Sequence, residues 1–277
     1  MLTAPRACHS DTVFSRIPTG PETAVNKTER ITISPESRCH ETPVLFLHGM
    51  WHGAWVWEQW QARFAGRGAS PAQGSVRIST MGRYLDVLRE QVAEITPKPV
   101  FIGASMGGAL IQWYLKKVAD DLPAAVILAG WSAHSMYADG VWPFLRRDPW
   151  GALTTVAALS SWPLVRNPRR AAQSLLSPGS KVDAAALHAR LCRESALVLN
   201  QHNPPFWWPK RTPKTPLFWV AGEADAVITE KGARRAAAFY GADYHLVPDD
   251  GHNLMMEKHE ADTARAIHDW LERRGLP

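Results

Sequence analysis

The residues best suited to chemistry lie in Pro99-Val-Phe-Ile-Gly-Ala-Ser-Met-Gly-Gly108. An apolar run, Val100 to Ile102, meets Gly103-Ala-Ser105-Met-Gly107, and a segment of helical character, Ala109 to Val118, follows. A serine flanked by glycines two residues away on either side, where a strand turns into a helix, can carry a nucleophile. Such a turn strains the serine backbone, and side chains at the two glycine positions would collide. It lifts the Ser105 hydroxyl clear of a sheet. It also sets the Met106 N–H at a helix start, where developing negative charge is stabilised. The plainer alternative is a glycine-rich strand-to-helix turn in which the serine is incidental.

A nucleophilic serine needs a general base, and the base needs an orienting carboxylate. In Tyr244-His-Leu-Val-Pro-Asp-Asp-Gly-His252-Asn a short apolar strand ends in a turn, and His252 follows Gly251. The apolar Leu254-Met255-Met256 comes next, a setting that most of the 11 histidines lack. His188, His202, His259 and His268 stand in polar or helical surroundings and are expected on the surface. Upstream, Pro216-Leu-Phe-Trp-Val-Ala-Gly-Glu-Ala-Asp225 is again an apolar strand, a glycine turn and an acid, so Asp225 is the candidate orienter. Glu223 competes, but fits better as a loop-stabilising carboxylate. Asp249 and Asp250 are expected to shape the turn that carries His252. A second donor to an oxyanion should come from the loop after an earlier strand. Pro43-Val-Leu-Phe-Leu-His48-Gly49-Met50-Trp51 supplies one, with the donor on the Met50 N–H and His48 bracing the loop. A donor of this kind is typically worth about 10²–10³ in turnover.

These elements, in the chain order Ser105, Asp225, His252, resemble the α/β-hydrolase superfamily, from about Arg30 to Leu271. His48-Gly-Met-Trp-His-Gly-Ala-Trp55 is similar to the oxyanion segment of small serine esterases, including plant methylesterases and hydroxynitrile lyases. Gly251-His-Asn-Leu-Met-Met-Glu257 is similar to the histidine loop of lysophospholipase-like members. The resemblance implies Ser105 as nucleophile, His252 as base, Asp225 as acid, and the Met50 and Met106 amides as oxyanion donors. The serine speaks against dehalogenase and epoxide hydrolase chemistry, where an aspartate takes its place. One departure stands out. Members usually follow the first helix with another strand and a turn, whereas here Val56 to Ala65 leads into Gly66-Arg-Gly-Ala-Ser70-Pro-Ala-Gln-Gly74 with no apolar run. A core strand is therefore expected to be missing after residue 65, which would expose edge hydrogen bonds.

Around these residues, apolar segments alternate with helical ones. Strands are expected at Arg30 to Ile33, Val44 to Leu47, Val100 to Ile102, Ala125 to Leu128, Leu217 to Val220 and Tyr244 to Val247. Met81, Tyr84, Leu85, Leu88, Val92 and Ile95 recur at helical spacing, and Glu230 to Tyr240 and Ala261 to Arg273 also read as helices. The expected fold is α/β: the α/β-hydrolase fold, a mostly parallel sheet with helices on both faces and an inserted helical cap. Residues 1–25 would be a disordered extension, 26–130 and 215–277 the core, and 131–214 the cap. Within the cap, Val182 to Leu199 has helical character and Ser180-x-x-Asp183 has the form of a capping box. The cap and the oxyanion segment are rich in tryptophan. Most such rings are core wherever they pack, but as a set they favour an apolar acyl or aromatic pocket, with Trp51, Trp131 and Trp142 as candidate lining.

Composition narrows the partners. The chain has 277 residues, a net charge of +5 and a pI near 9.2, but its basic residues fall in scattered pairs with no nucleic-acid-binding motif. No apolar run approaches the about 20 residues that span a bilayer. Three separated cysteines, Cys8, Cys39 and Cys192, point to reduced thiols and a cytoplasmic setting, with no metal-ligand cluster and no cofactor implied. The expected activity is hydrolysis of a carboxylic ester with an apolar acyl or alcohol group, in the manner of a carboxylesterase or lysophospholipase. Lactone or C–C bond hydrolysis, acyl transfer, hydroxynitrile lyase chemistry and a non-catalytic binding relative remain open.

Overall fold

The computed structural model describes residues 29–32, 40–64, 67–70 and 79–277. The expected N-terminal extension, 1–25, lies outside them, as do Cys8 and Cys39. Seven strands form one sheet in the order β1-β3-β2-β4-β5-β6-β7. They are β1 (Glu29–Thr32), β2 (Val44–Leu47), β3 (Arg67–Ser70), β4 (Val100–Ala104), β5 (Ala125–Leu128), β6 (Leu217–Gly222) and β7 (Asp243–Val247). From β3 to β7 all neighbours run parallel, and β1 is antiparallel to β3. In β2, β4, β5 and β6 every residue is buried. Such continuous apolar runs, without alternation, are what a parallel sheet covered on both faces requires.

The strand expected to be missing after residue 65 is present. β3 pairs Arg67, Gly68 and Ala69 with Leu45, Phe46 and Leu47 of β2, and its other edge with β1. Its four residues, Arg-Gly-Ala-Ser, carry no large apolar side chain. A backbone ladder between two neighbours defines this strand, and hydrophobic pattern cannot reveal a strand of that kind.

The helices are α1 (Glu58–Phe64), α2 (Met81–Ala93), α3 (Met106–Lys117), α4 (Trp142–Arg147), α5 (Pro149–Ala158), α6 (Pro168–Leu175), α7 (Ala184–Arg190), α8 (Ala196–Gln201), α9 (Glu230–Tyr240) and α10 (Glu260–Glu272). α2 buries Met81, Leu85, Leu88 and Val92, the face its spacing predicts, and Thr80 caps it by accepting from the Arg83 N–H. Thr229 caps α9 in the same way, and α9 ends at Gly241 with φ 65°.

Helices α4 to α8 all fall between β5 and β6. The helical character of Val182 to Leu199 resolves into α7 and α8 with a break between them. There the chain turns its backbone to other partners: the Cys192 N–H donates to Trp51 O at 2.8 Å, and Ser160 bridges to Ser195. Nor does the capping box form. Ser180 Oγ accepts from the Val182 N–H, while Asp183 itself caps α7 by accepting from the Ala185 N–H. Elsewhere in the segment, α5 leaves Trp150, Leu153 and Val156 exposed to solvent.

Candidate active site

Ser105 stands between β4 and α3 with φ 52° and ψ −114°. This strain persists because the surroundings fix it on both sides: the Ser105 N–H donates to Leu128 O at 2.8 Å, and Ser105 O accepts from the Ala109 N–H at 3.1 Å. The flanking glycines are required by close approach. A Cβ on Gly107 would lie 2.2 Å from Leu47 O, and one on Gly103 would lie 2.7 Å from the Gly107 carbonyl.

Loops at the C-terminal ends of β6 and β7 bring Asp225 and His252 together. Asp225 Oδ2 accepts from His252 Nδ1 at 2.8 Å, and both side chains are almost fully buried. Asp225 Oδ1 accepts from the Val227 and Ile228 N–H groups at 2.7 and 2.9 Å, so the carboxylate is fixed by its own loop. With Nδ1 donating, Nε2 of His252 is left to accept a proton. Ser105 and His252 line one cavity. In this state Ser105 Oγ accepts from the Trp131 indole N–H at 3.1 Å and bonds no other described side chain.

The segment after β2, Gly49 to His52, lines the same cavity. A Cβ on Gly49 would sit 3.0 Å from Ser105 Cβ, so a side chain there would crowd the serine. His48 Nδ1 donates to Gly49 O at 2.7 Å. That carbonyl belongs to the same trans peptide as the Met50 N–H, so anchoring one aims the other the opposite way. Neither the Met50 nor the Met106 N–H donates to an acceptor among the described residues. The Met106 N–H opens α3 and has no intrahelical acceptor. Burial pulls the His48 pKa down to about 4, so the imidazole braces this loop in its neutral form.

Of the candidate pocket residues, Trp51 lines the cavity and its indole N–H donates to Ser161 Oγ at 2.9 Å. Trp131 bonds Ser105 Oγ but is not itself among the residues that line the cavity. Trp142 does not belong: it is 59 % exposed, beside Arg146, and absent from the lining. The apolar wall comes instead from Met50, Val56, Leu175 and Met255.

Two polar lining residues were invisible to motif reasoning, His52 and Asn253. His52 Nδ1 donates to Met50 O at 2.7 Å, and its Nε2 accepts from Asn253 Nδ2 at 3.1 Å. Burial drives the His52 pKa down to about 3. The signal that could have found them is adjacency: His52 lies within the oxyanion segment and Asn253 follows His252.

The insertion is pinned to the site's loops. Glu257 accepts from the Ser177 N–H at 2.6 Å and from Ser177 Oγ at 2.9 Å, and the Asn253 N–H donates to Leu175 O at 2.9 Å.

His202, expected on the surface, is fully buried: Trp113 donates to its Nδ1 at 3.1 Å and its Nε2 donates to Ser132 O at 2.9 Å. Burial lowers its pKa to about 4. Glu223 accepts from the Asp249 N–H, and Asp250 from the N–H and Nδ1 of His259, so these acids serve loops. Among the described residues, His268, Asp269 and Glu272 of α10 could together hold a metal ion, and none of them lines the cavity. No described helix is long and apolar enough to cross a membrane.

The arrangement places a hydroxyl on a strained backbone, a carboxylate-bonded imidazole and the unengaged Met50 amide at one cavity, with the Met106 amide beside Ser105, groups able to attack a carbonyl and hold its oxyanion. Comparisons with known proteins agree in fold. A probable esterase of rice, Oryza sativa, is 32% identical over 99 residues, which are 31% of this chain and 37% of that protein, so the chain matches little more than a third of that relative's length. The monoacylglycerol lipase of Paleococcus ferrophilus superposes with a TM-score of 0.66 at 16% identity, covering 90% of this chain and 99% of that one. A thermophilic esterase of Thermogutta terrifontis gives 0.63 at 18% identity, covering 96% and 99%. The sequence profile of the alpha/beta hydrolase family runs through residues 44–266, from β2 to within α10, and the chain therefore belongs to that family.

Proposed function

We propose that this protein is a serine hydrolase that cleaves a carboxylic ester bearing an apolar acyl or alcohol group, through an acyl-enzyme. The observation that carries this reading is one cavity lined by Ser105, by His252 of the Asp225–His252 pair and by Met50, with the unengaged Met106 N–H opening the helix next to Ser105. The esterase and lipase names of the rice relative and of both structural neighbours support it.

Ser105 passes its proton to His252 Nε2 as Oγ bonds to the carbonyl carbon. The Met50 and Met106 N–H groups hold the oxygen that becomes negative, and Asp225 stabilises the imidazolium. His252 then gives the proton to the departing alcohol as the C–O bond breaks. Water repeats the sequence: its proton goes to His252, its oxygen bonds to the acyl carbon, and the C–Oγ bond breaks as the proton returns to Ser105. Met50, Trp51, Val56, Leu175 and Met255 make the wall apolar, which favours a hydrocarbon group over a sugar or phosphate. We read the helical insertion, 131–214, as a cap, because Leu175 at the end of α6 lines the cavity. Three cysteines, odd in number and far apart in sequence, fit a reducing compartment such as the cytoplasm.

One observation favours a binding-only relative: Ser105 Oγ is bonded by Trp131 and not by His252. Against it, β3 completes the sheet, so the missing strand that would have argued for a degenerate protein is not there. A panel of p-nitrophenyl esters from acetate to octanoate, beside matching amides and phosphate esters, separates the two. The hydrolase reading expects ester turnover by the wild type and none above background by Ser105→Ala. Absence of ester turnover by folded wild type would favour binding alone.

A further inference from the structure

The loop after β5 is held far more tightly than a pocket wall requires. Three successive carbonyls each accept from a buried side chain brought from elsewhere in the chain. Gln112 Nε2 donates to Trp131 O at 2.9 Å, His202 Nε2 to Ser132 O at 2.9 Å, and Trp207 Nε1 to Ala133 O at 2.9 Å. Behind them, Tyr240 Oη donates to Gln112 Oε1 at 2.9 Å, and Trp113 Nε1 donates to His202 Nδ1. Trp207 stacks on both Trp113 and His202, with ring centroids 5.2 and 4.8 Å apart. His202 meets the Trp131 ring edge to face at 5.7 Å. An indole N–H can only donate. Fixed in this way, the N–H of Trp131 is aimed at Ser105 Oγ.

We propose that the Trp131 indole N–H is a third donor in this site, acting on Ser105 Oγ itself: it stabilises that oxygen as the leaving group when the acyl-enzyme breaks down. The inference rests on the reading of Ser105 as the nucleophile. In the acyl-enzyme, Oγ is an ester oxygen and a weak acceptor. As the C–Oγ bond breaks, the electron pair returns to Oγ while the proton from His252 arrives, and the oxygen regains the acceptor strength of the free hydroxyl. A donor already in place is strengthened at that moment, which is the condition for catalysis. Attack by Ser105 gains nothing from the same bond, because the donor holds the free hydroxyl as firmly as the partly bonded oxygen. Trp131 therefore acts on deacylation and not on acylation.

The test uses an activated aryl ester, with stopped-flow release of the phenol for acylation and intact mass for the acyl-enzyme. In Trp131→Phe we expect the deacylation rate constant to fall by about tenfold while kcat/KM holds or rises, so that the acyl-enzyme accumulates. Because the smaller ring leaves space in a packed site, a second variant places 3-benzothienylalanine at position 131. It keeps the indole shape and has sulfur where the N–H was, and the same split is expected. Equal falls in both constants for that second variant, or no change in either, would overturn the proposal while leaving Ser105 as nucleophile. A folded wild type that forms no acyl-enzyme and turns over no ester would overturn the underlying hydrolase reading as well.

Discussion

Two sets of loops reach Ser105, and they are held in place by different means. After β6 and β7, Asp225 is fixed by the N–H groups of Val227 and Ile228, two and three residues further along its own loop, and it accepts from His252 Nδ1. After β5, Trp131 is fixed by Gln112 from α3, by His202 just beyond α8, and by Trp207, which lie 19, 70 and 74 residues from the carbonyls they hold. The first assembly is local and carries charge. The second is neutral, assembled across the chain, and includes residues of the insertion. Breaking the first should therefore cost reaction rate with little cost in stability, whereas breaking the second should cost stability first.

The largest effect belongs to the charged side. Asp225→Asn should lower kcat by about 10⁴-fold, as the equivalent change does in serine protease triads, with little change in Tm. An amide there can still accept from Val227 and Ile228 but leaves the imidazole in the wrong tautomer. Steady-state ester kinetics beside a melting curve would check it, and a large fall in Tm would erase the contrast between the two regions.

The next concerns acid. His202 takes up a proton near pH 6.5 when unfolded, but only at about pH 4 when folded, because burial disfavours the charged ring. Between those values the unfolded chain binds more protons, so stability is complete above 6.5 and is lost as pH falls. At about pH 4.5 the loss from His202 alone should be about 2.5 kcal/mol. Urea unfolding at about pH 7 and about pH 4.5 should show His202→Gln losing less stability than wild type by that amount. His48 and His52 act in the same direction, so both proteins weaken in acid, and equal losses would place the acid sensitivity outside the Trp131 support.

Gln112→Leu removes a donor from Trp131 O and an acceptor from Tyr240, leaving two buried groups unpaired at a cost of about 2 kcal/mol. Adding Tyr240→Phe should recover part of it, so a double-mutant cycle should show coupling of about 1 kcal/mol. Zero coupling would mean the support is not one connected unit. Smallest is Trp142→Ala. This exposed ring, outside the cavity, should change stability by less than about 0.5 kcal/mol and leave KM for esters unchanged.

The two regions also differ in how legible they were. Ser105, Asp225 and His252 announce themselves because each follows an apolar strand and because strain demands glycine at fixed offsets from the serine. The same logic found β2, β4, β5 and β6. It failed at β3, whose Arg-Gly-Ala-Ser is held by backbone ladders on both sides. It failed again at the Trp131 support, since Gln112, His202 and Trp207 have no sequence relation to one another that periodicity could expose. His202 stands in polar surroundings in the sequence, yet its neighbours are themselves bonded inward: Gln201 Oε1 accepts from the Met81 N–H and Asn203 Nδ2 donates to Leu199 O. Trp142 shows the reverse error, a large ring left in water on a helix of six residues.

The whole mechanism turns on Ser105 as an activated nucleophile. Labelling of the purified protein with a fluorophosphonate probe, read by intact mass beside Ser105→Ala, tests it most directly. One adduct is expected on the wild type and none on the variant. A folded wild type that takes no label, or a variant that labels equally, would contradict it.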